Sequence, residues 1–211
     1  MDWRQLAYWN SQGSSKSFAH PLRLDWLAPL AKDARVLDYG CGYGRNLQAL
    51  HDHGRRNTMG VDFAAAMIAR ARGRYPHLEL KTIEGLPLDE PDGAFDAVLL
   101  FAVLTCIPGD EDQKALLAEL IRLLRPGGLI YISDYPLQSD ARNRARYEAG
   151  RGKHGVYGVW DREDGGVFRH HERGWLAELL SGFEELKREE LETVTMGGNA
   201  AIAVQILGRK P

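Results

Sequence analysis

The sequence predicts an α/β fold built on an open, mostly parallel sheet with helices on both faces. Short apolar runs alternate with helical segments between residues 33 and 134, the pattern of a doubly wound sheet. Phe95 to Phe101 is a continuous apolar run, as in a central strand buried on both faces. Near the C-terminus, Met196-Gly197-Gly198-Asn199 separates two further apolar segments and predicts an antiparallel hairpin.

The predicted elements follow in a regular order along the chain. Residues 1–32 predict a helical arm, with Tyr8 and Trp9 on its apolar face and Pro21 at the start of a second helical stretch. Residues 135–171 have little periodicity and predict an irregular insertion. The predicted strands are 36–37, 58–62, 78–83, 95–101, 129–133, 186–194 and 200–207, and the predicted helices are 46–53, 64–74, 110–124 and 175–180.

Composition indicates one soluble globular domain. The 211 residues are 44% hydrophobic and 27% charged, and the formal net charge of −2 gives no general attraction to nucleic acid or to anionic membranes. No apolar stretch approaches the roughly 20 residues that span a bilayer, and the N-terminus lacks the pattern of a signal peptide. With only two cysteines, Cys41 and Cys106, we expect a cytoplasmic protein without disulfides.

The most informative segment is the glycine-rich loop that follows the first predicted strand, Asp38-Tyr39-Gly40-Cys41-Gly42-Tyr43-Gly44. Open α/β sheets bind ligands at the carboxyl ends of their strands, and glycines let the backbone approach a ligand closely. A dinucleotide would place its pyrophosphate over such a loop, and the carboxylate of Asp38 would repel it. The loop therefore favours a ligand with positive charge, such as an amino group or a sulfonium.

Asp62 ends the second strand, 24 residues after Asp38. Nucleotide sites of α/β proteins place an acid at about this position, where one carboxylate can accept hydrogen bonds from two ribose hydroxyls. An N-cap for the following helix is the alternative role. The spacing Gly-x-Gly-x-Gly differs from the Gly-x-Gly-x-x-Gly of nicotinamide enzymes, which argues against an oxidoreductase.

Four segments in order resemble the motifs of class I S-adenosylmethionine-dependent methyltransferases. Residues 36–44 resemble the first motif, Gly60-Val61-Asp62-Phe63 the second, and Leu86-Pro87 with Phe95-Asp96-Ala97-Val98 the third region. Leu123-Leu124-Arg125-Pro126-Gly127-Gly128 resembles the helix end and turn before the fifth strand. The resemblance covers about residues 33–134 and implies a Rossmann-like sheet of about seven strands with the last one antiparallel.

The resemblance also implies which residues hold S-adenosylmethionine. Asp38 and the glycines would lie against its methionine and ribose part, Asp62 would hold the ribose hydroxyls, and Phe63 would lie against the adenine. Related sequences often carry Asp-Ala where this chain has Thr82-Ile83, which leaves the backbone N–H of Ile83 as the contact there. The implied cofactor residues are Asp38, Gly40, Cys41, Gly42, Gly44, Asn46, Asp62, Phe63, Met67, Thr82, Ile83, Glu84 and Phe101.

We expect the methyl acceptor to lie over the fourth and fifth strands, enclosed by the arm and the irregular insertion. Aromatic residues with a few polar groups suit a small, partly apolar molecule. The candidate acceptor-binding residues are Tyr8, Trp9, Lys16, Phe18, Thr105, Cys106, Trp160 and Arg169. The candidate bases are His20, His170, His171 and Tyr157, since histidine titrates near neutrality, with a surface or core role as the alternative for each histidine.

These expectations define one domain, residues 1–211, with an arm at 1–32, a cofactor-binding core at 33–134, a substrate cap at 135–171 and a C-terminal helix and hairpin at 172–211. The predicted activity is methyl transfer to an oxygen, nitrogen or sulfur atom of a small molecule by in-line displacement. A tRNA or protein methyltransferase and a non-catalytic S-adenosylmethionine-binding protein are the alternatives. We expect no metal, nucleic acid or membrane partner, and a monomer or homodimer.

Overall fold

Nine strands and six α-helices form the regular structure of residues 3–211, the part of the chain that the computed structural model describes; the side chains of residues 3, 4 and 14 lie outside that description. The strands are β1 Val36–Tyr39, β2 Thr58–Asp62, β3 Glu79–Thr82, β4 Phe95–Phe101, β5 Leu124–Asp134, β6 Val159–Asp161, β7 Val167–Arg169, β8 Glu184–Val194 and β9 Ala200–Arg209. The helices are α1 Trp3–Gln12, α2 Arg45–Asp52, α3 Ala65–Arg74, α4 Asp110–Leu123, α5 Ala141–His154 and α6 Arg173–Leu179.

Seven of the strands form one sheet in the order β3-β2-β1-β4-β5-β9-β8. The first five are mutually parallel, and β9 is antiparallel to both β5 and β8. This confirms the predicted mostly parallel, doubly wound sheet with a C-terminal antiparallel hairpin. The central position of β1 places its carboxyl end, and the glycine loop after it, between the ends of β2 and β4.

The core lies on both faces of the sheet. On one face, Leu100 and Ile132 of the sheet pack with Leu116 and Leu120 of α4, all of them at most 1% exposed. On the other face, Trp26 stacks on Tyr131 with ring centroids 5.1 Å apart. Burial on two faces explains why every side chain of β4 from residue 97 to residue 101 is apolar, since alternate side chains of a strand point to opposite sides.

The segment 135–171, predicted to be irregular, contains α5 and the small antiparallel hairpin β6–β7. The carboxylate of Asp140 accepts a hydrogen bond from the backbone N–H of Asn143 and caps the start of α5, and Gly155 ends it with a φ of +71°. Only Asn143, Tyr147 and Gly150 of this helix are buried. The helix therefore has almost no apolar periodicity, which is why its sequence did not indicate it.

Two further boundaries differ from the prediction. The helical stretch expected after Pro21 is a single 3₁₀ turn, Leu24–Leu27. Strand β5 begins at Leu124, so Pro126-Gly127-Gly128 lies within the strand and α4 ends just before it. Residues 1 and 2 of the predicted arm lie outside the described residues. Of the helices described, none combines the length and apolar character needed to cross a membrane.

Candidate functional site

A cleft of about 1200 Å³, including the open solvent at its mouth, lies at the carboxyl edge of the sheet. Its floor is the glycine loop after β1 together with the ends of β2 and β4. The arm, the hairpin β6–β7 and the turn after β8 form its walls. Parallel α/β sheets bind ligands at this edge, because the loops that leave adjacent strands diverge there.

The backbone of the glycine loop strongly favours glycine at the two positions that face the cleft. Gly40 and Gly42 have φ angles of +70° and +54°. A Cβ on Gly40 would lie 2.5 Å from Cγ2 of Val103, and one on Gly42 would lie 3.2 Å from both Phe18 and Met67. The loop thus presents bare backbone to the cleft, as a closely bound ligand requires.

Asp38 is 1% exposed, lies beneath the loop and does not itself line the cleft, whereas the adjacent Asn46 does. Within residues 3–211, neither of its carboxylate oxygens has a hydrogen-bond partner, and the same is true of Oδ1 of the adjacent Asn46. Burial raises the pKa of Asp38 to about 7, although the guanidinium of Arg45 nearby lowers it. A buried, unpartnered acceptor is costly, so this pair fits a ligand that brings N–H groups or positive charge, as the methionine amino group would.

Asp62 connects the glycine loop to the start of α3. One of its carboxylate oxygens accepts the N–H of Gly42 and the other the N–H of Ala64, both at 2.9 Å. Burial raises its pKa to about 6, while these backbone hydrogen bonds lower it. Each carboxylate oxygen keeps a free lone pair, so Asp62 can hold the loop and still accept two hydroxyls. The residue before α3 is Ala64, so Asp62 is not its N-cap.

Several predicted cofactor residues line the cleft and others lie outside it. Lining residues include Gly40, Cys41, Gly42, Asn46, Asp62, Phe63, Met67 and Phe101. Gly44 is buried behind the loop with φ +80° and precedes α2. Thr82 and Glu84 are exposed and do not line it. The N–H of Ile83 donates to the carbonyl of Asp62 at 3.0 Å, which corrects the expectation that it is available to the adenine.

The half of the cleft that the arm and the hairpin line, where the sequence predicts the acceptor, is aromatic. Trp9, Phe18 and Trp160 line it, as predicted, together with Thr105 and Cys106. The hydroxyl of Thr105 donates to a backbone carbonyl at 2.7 Å and so holds the wall in place. Burial raises the pKa of the Cys106 thiol well above its usual value, so this side chain is a neutral thiol.

Two of the four candidate bases line the cleft, His20 and His170. His171 is fully buried outside it: its Nε2 lies 2.9 Å from Nε2 of Gln113, and its Nδ1 lies 3.3 Å from the carbonyl of Tyr135. Both ring nitrogens of His171 thus have hydrogen-bond partners in the core, which is the alternative to a role as a base. Tyr157 is partly buried against the aromatic cluster behind the cleft and does not line it.

Three predicted acceptor contacts also point away from the cleft. Tyr8 donates to Asp164 at 3.3 Å, and Lys16 forms an ion pair with the same carboxylate at 3.1 Å. Arg169 is 4% exposed and is bound to Asp110 and to the carbonyl of a proline. These side chains attach the arm and the hairpin to the rest of the molecule instead of facing a ligand.

The structure adds lining residues that the sequence analysis did not select. They belong to α2, β5, α5, the hairpin and the turn after β8: Arg45, Tyr135, Arg146, Arg162, Phe168, Val194, Thr195, Met196 and Asn199. The turn could have been found, since a C-terminal strand parallel to β5 must end at the same edge of the sheet. Arg146 could not, because helix α5 itself was not predicted.

Comparison with known proteins gives consistent matches. A family model described as a methyltransferase domain matches residues 36–128. A phosphatidylethanolamine N-methyltransferase of Cereibacter sphaeroides is 32% identical over 141 residues, covering 61% of this chain and 67% of that protein. A ubiquinone biosynthesis O-methyltransferase of Xanthomonas campestris is 31% identical over 136 residues, covering 60% of this chain and 55% of that protein.

The alignments to the curated relatives span 41 to 67% of those proteins' lengths. A crystal structure of an S-adenosylmethionine-dependent methyltransferase from Methanosarcina mazei has the same fold, with a TM-score of 0.81 and 24% identity over 90% of this chain and 97% of that one. The sequence match to the Cereibacter relative and the shared fold show that the chain belongs to the class I S-adenosylmethionine-dependent methyltransferases.

Proposed function

We propose that the chain transfers a methyl group from S-adenosylmethionine to an oxygen, nitrogen or sulfur atom of a small molecule by in-line displacement. One observation carries this proposal: the cleft runs without interruption from Asp62 to the aromatic wall at Trp160 and Phe168. Cofactor and acceptor can therefore meet in one compartment. The arm and the hairpin enclose the acceptor half on two sides, which favours a small molecule over tRNA or protein as acceptor.

In this proposal the residues of the chain mainly position the reactants. S-adenosylmethionine supplies an already activated methyl group, so alignment of the nucleophile provides much of the rate enhancement. Asp38 and Asp62 would hold the donor at two points, which fixes the direction of its sulfur. The aromatic wall would exclude water and fix the acceptor.

The relatives differ in the acceptor that their names give. The Cereibacter protein is named for N-methylation of phosphatidylethanolamine and the Xanthomonas protein for O-methylation in ubiquinone biosynthesis. Both acceptors are smaller than a protein or an RNA, which supports the proposed class. The acceptor atom differs between relatives of equal similarity, so for this chain it must be found by experiment. The free thiols of Cys41 and Cys106 support a reducing compartment such as the cytoplasm.

The donor site can be tested by calorimetry with S-adenosylmethionine, S-adenosylhomocysteine and NAD. We expect the first two to bind and NAD not to bind. Asp62→Ala should weaken binding by about 100-fold, because it removes charge-assisted hydrogen bonds to two hydroxyls at about 1.5–3 kcal/mol each.

Asp134→Ala is the matched control, since Asp134 is also a fully buried carboxylate that accepts backbone N–H groups, at Thr105 and Tyr135, and it does not line the cleft. Its affinity for S-adenosylhomocysteine should stay within about threefold of the wild type. Unchanged affinity in Asp62→Ala would remove the ribose role, and the absence of binding to both adenosyl compounds would overturn the proposed function.

A further inference from the structure

We propose that the acceptor of this site is a flat, apolar molecule that bears a carboxylate, held by N–H groups of His20, His170 and Arg146. The inference rests on the proposed function, because it names the substrate class of the same cleft. It depends on which atoms of the two histidines carry hydrogen. That question can be answered from their buried partners.

The hydrogen bonds around His170 place its hydrogen on Nε2. The hydroxyl of Tyr147 accepts the backbone N–H of Gln138 at 3.2 Å and lies 2.5 Å from Nδ1 of His170. Its own hydrogen must then go to Nδ1, since among the described residues no other acceptor reaches it. Burial, followed by the nearby guanidinium of Arg146, holds the pKa of His170 well below its usual value. The neutral ring therefore accepts at Nδ1 and donates from Nε2.

The same argument applies to His20. Nε2 of Gln205 donates to the carbonyl of Pro21 at 2.6 Å, which fixes the orientation of that amide, and it also reaches Oγ of Ser133 at 3.3 Å. Ser133 thus accepts a hydrogen bond and still carries one hydrogen of its own, which we assign to Nδ1 of His20, 2.7 Å away. Burial lowers the pKa of His20 to about 4, so the ring is neutral with its hydrogen on Nε2.

These Nε2 groups are donors that need an acceptor. His20 is 2% exposed, lines the cleft, and no protein atom in residues 3–211 hydrogen-bonds its Nε2. His170 is 3% exposed and lines the same half of the cleft, its ring 5.1 Å from that of Tyr135, which in turn lies 4.6 Å from His20. Neither ring offers a free lone pair to the cleft. Both therefore fit a hydrogen-bond acceptor of the substrate and do not fit a general base.

Arg146 adds a positive charge to the same wall. Its guanidinium lies 3.6 Å from the centre of the Trp160 ring, and its Nε is buried with no acceptor among the described residues. It forms no ion pair within that part of the chain, whereas Arg162 beside it is paired at 2.9 Å with Asp164, a carboxylate that Lys16 also contacts. A planar guanidinium without a carboxylate partner is suited to bind one from a ligand.

The other walls select the body of the acceptor. The aromatic side chains of Trp160, Phe168 and Tyr135 line the cleft. Flat apolar molecules pack well against such surfaces. The two histidines cannot act as bases in this arrangement. The reacting atom of the acceptor must therefore be nucleophilic before it enters the site, as an ionised oxygen, an ionised sulfur or a neutral amine is.

The first test is the protonation of the two histidines. Long-range ¹H–¹⁵N spectra at pH 7, assigned with His20→Gln and His170→Gln, should show both rings neutral with hydrogen on Nε2. Loss of the hydrogen bond to Nδ1 in Tyr147→Phe should release His170 from this form, while His20 stays unchanged. A charged ring or hydrogen on Nδ1 in the wild type would overturn the donor role.

The second test compares 2-naphthoate with its uncharged analogue 2-naphthamide by calorimetry, with and without saturating S-adenosylhomocysteine. Naphthoate should bind about tenfold more tightly than naphthamide, as a charge-assisted contact requires. Arg146→Gln should abolish this preference, and Arg144→Gln, an exposed arginine of the same helix, should keep it.

The outcomes separate the two proposals. Binding of S-adenosylhomocysteine with equal affinity for the two naphthalene probes would overturn the carboxylate preference and leave the methyltransferase proposal standing. Preference for naphthoate without any binding of adenosyl compounds would overturn the methyltransferase proposal and leave the carboxylate preference standing. If Arg144→Gln and Arg146→Gln lost the preference for naphthoate equally, the preference would come from the overall positive charge of helix α5. That result would also overturn the specific contact with Arg146.

Discussion

Asp38 couples the donor site to pH. In the free protein its carboxyl group has a pKa of about 7, because burial outweighs the effect of Arg45. A ligand with a positive amino group binds the ionised form, so binding must release the proton that the buried acid holds below that pH. Asp62, with a pKa raised to about 6, adds a weaker effect of the same sign.

We therefore predict that affinity for S-adenosylmethionine rises with pH. Between pH 6 and pH 8 the dissociation constant should fall about tenfold, the change expected when one group of pKa about 7 must ionise. Calorimetry across this range measures it. Asp38→Asn should bind more weakly and show a much flatter profile, and an equally steep profile in this variant would assign the titration to another group.

Among single residues, the sequence predicted those whose positions depend on short spacings in the chain. Asp38 belongs to the same short segment that contains Gly40, Gly42 and Gly44 of the loop, and Asp62 at the end of the next strand is hydrogen-bonded to that loop. The state of His20 depends instead on Gln205, which is 185 residues away in the chain. No pattern in the sequence links such residues, so the sequence left both cleft histidines as candidate bases with a surface or core role as the alternative. We propose from their partners that they are donors.

Helix α5 contacts the hairpin at one glycine. A Cβ on Gly150 would lie 1.9 Å from the carbonyl oxygen of Val159, so the two backbones touch there. Gly152, two residues later in the same helix, has nothing within 4 Å of its Cβ position. Alanine favours a helix more than glycine does at both positions. A comparison of alanine variants at Gly150 and Gly152 therefore separates the effect of close packing from the effect of helix propensity.

We predict opposite results for the two alanine variants. Gly150→Ala should destabilise the protein by about 1–3 kcal/mol, since the helix must move off β6. Gly152→Ala should stabilise it by up to about 1 kcal/mol. Thermal unfolding would show these changes as shifts of about 2–4 °C per kcal/mol for a chain of this size. Similar shifts in both variants would mean that the contact at Gly150 relaxes without cost.

Among the elements, those with a strong hydrophobic period were predicted and those without one were not. Strand β4 and helix α4 were found almost to the residue, because each buries an apolar side against the core. Helix α5 buries chiefly Tyr147 and has arginines on much of its surface. The sequence features that do mark this 14-residue helix are its capping residues, Asp140 at the N-terminal end and Gly155 at the C-terminal end.

For the molecule as a whole, the arm connects the sheet to the cap. The amide of Gln5 donates to the carbonyls of Cys106, at 2.9 Å, and Val167, so it joins the end of β4 to the hairpin. On the other side, Arg70 of α3 donates to the carbonyls of Gly13 and Lys16, at 3.2 and 2.7 Å. The arm therefore encloses the cleft as part of one folded unit, in keeping with the single domain that we propose.

The same interior contains two sets of buried titratable groups with opposite effects on stability. Burial raises the pKa of Asp38, Asp62 and Asp134, to about 7, 6 and 7. Each therefore keeps a proton that the unfolded chain loses above pH 4, which lowers stability as pH rises. Burial lowers the pKa of His20 and His171 to about 4 and 3, and that of His170 well below its usual value.

Each histidine lacks a proton that the unfolded chain holds up to about pH 6.5, so stability rises as pH rises from its folded pKa to that point. Three carboxyl groups thus oppose three imidazoles between about pH 4.5 and 6. Other carboxyl groups such as Asp96, Glu119 and Glu185, whose pKa values are lowered by hydrogen bonds to arginines, also raise stability with pH until the unfolded chain has ionised, at about pH 5.5, and add almost no slope above that. The free energy of unfolding of the free protein should therefore be nearly independent of pH between about pH 5.5 and 6.

Removing one carboxyl group should expose the histidine contribution. Asp134→Asn leaves two acids against three histidines, so although the variant is less stable overall, its free energy of unfolding should rise at a rate of about 1.4 kcal/mol per pH unit between about pH 5.5 and 6. Urea unfolding at several pH values measures this slope, with Glu163→Gln as an exposed control that should stay flat. If Asp134→Asn stayed as flat as the wild type, Asp134 would be ionised in the folded protein, and the balance would have to involve other groups.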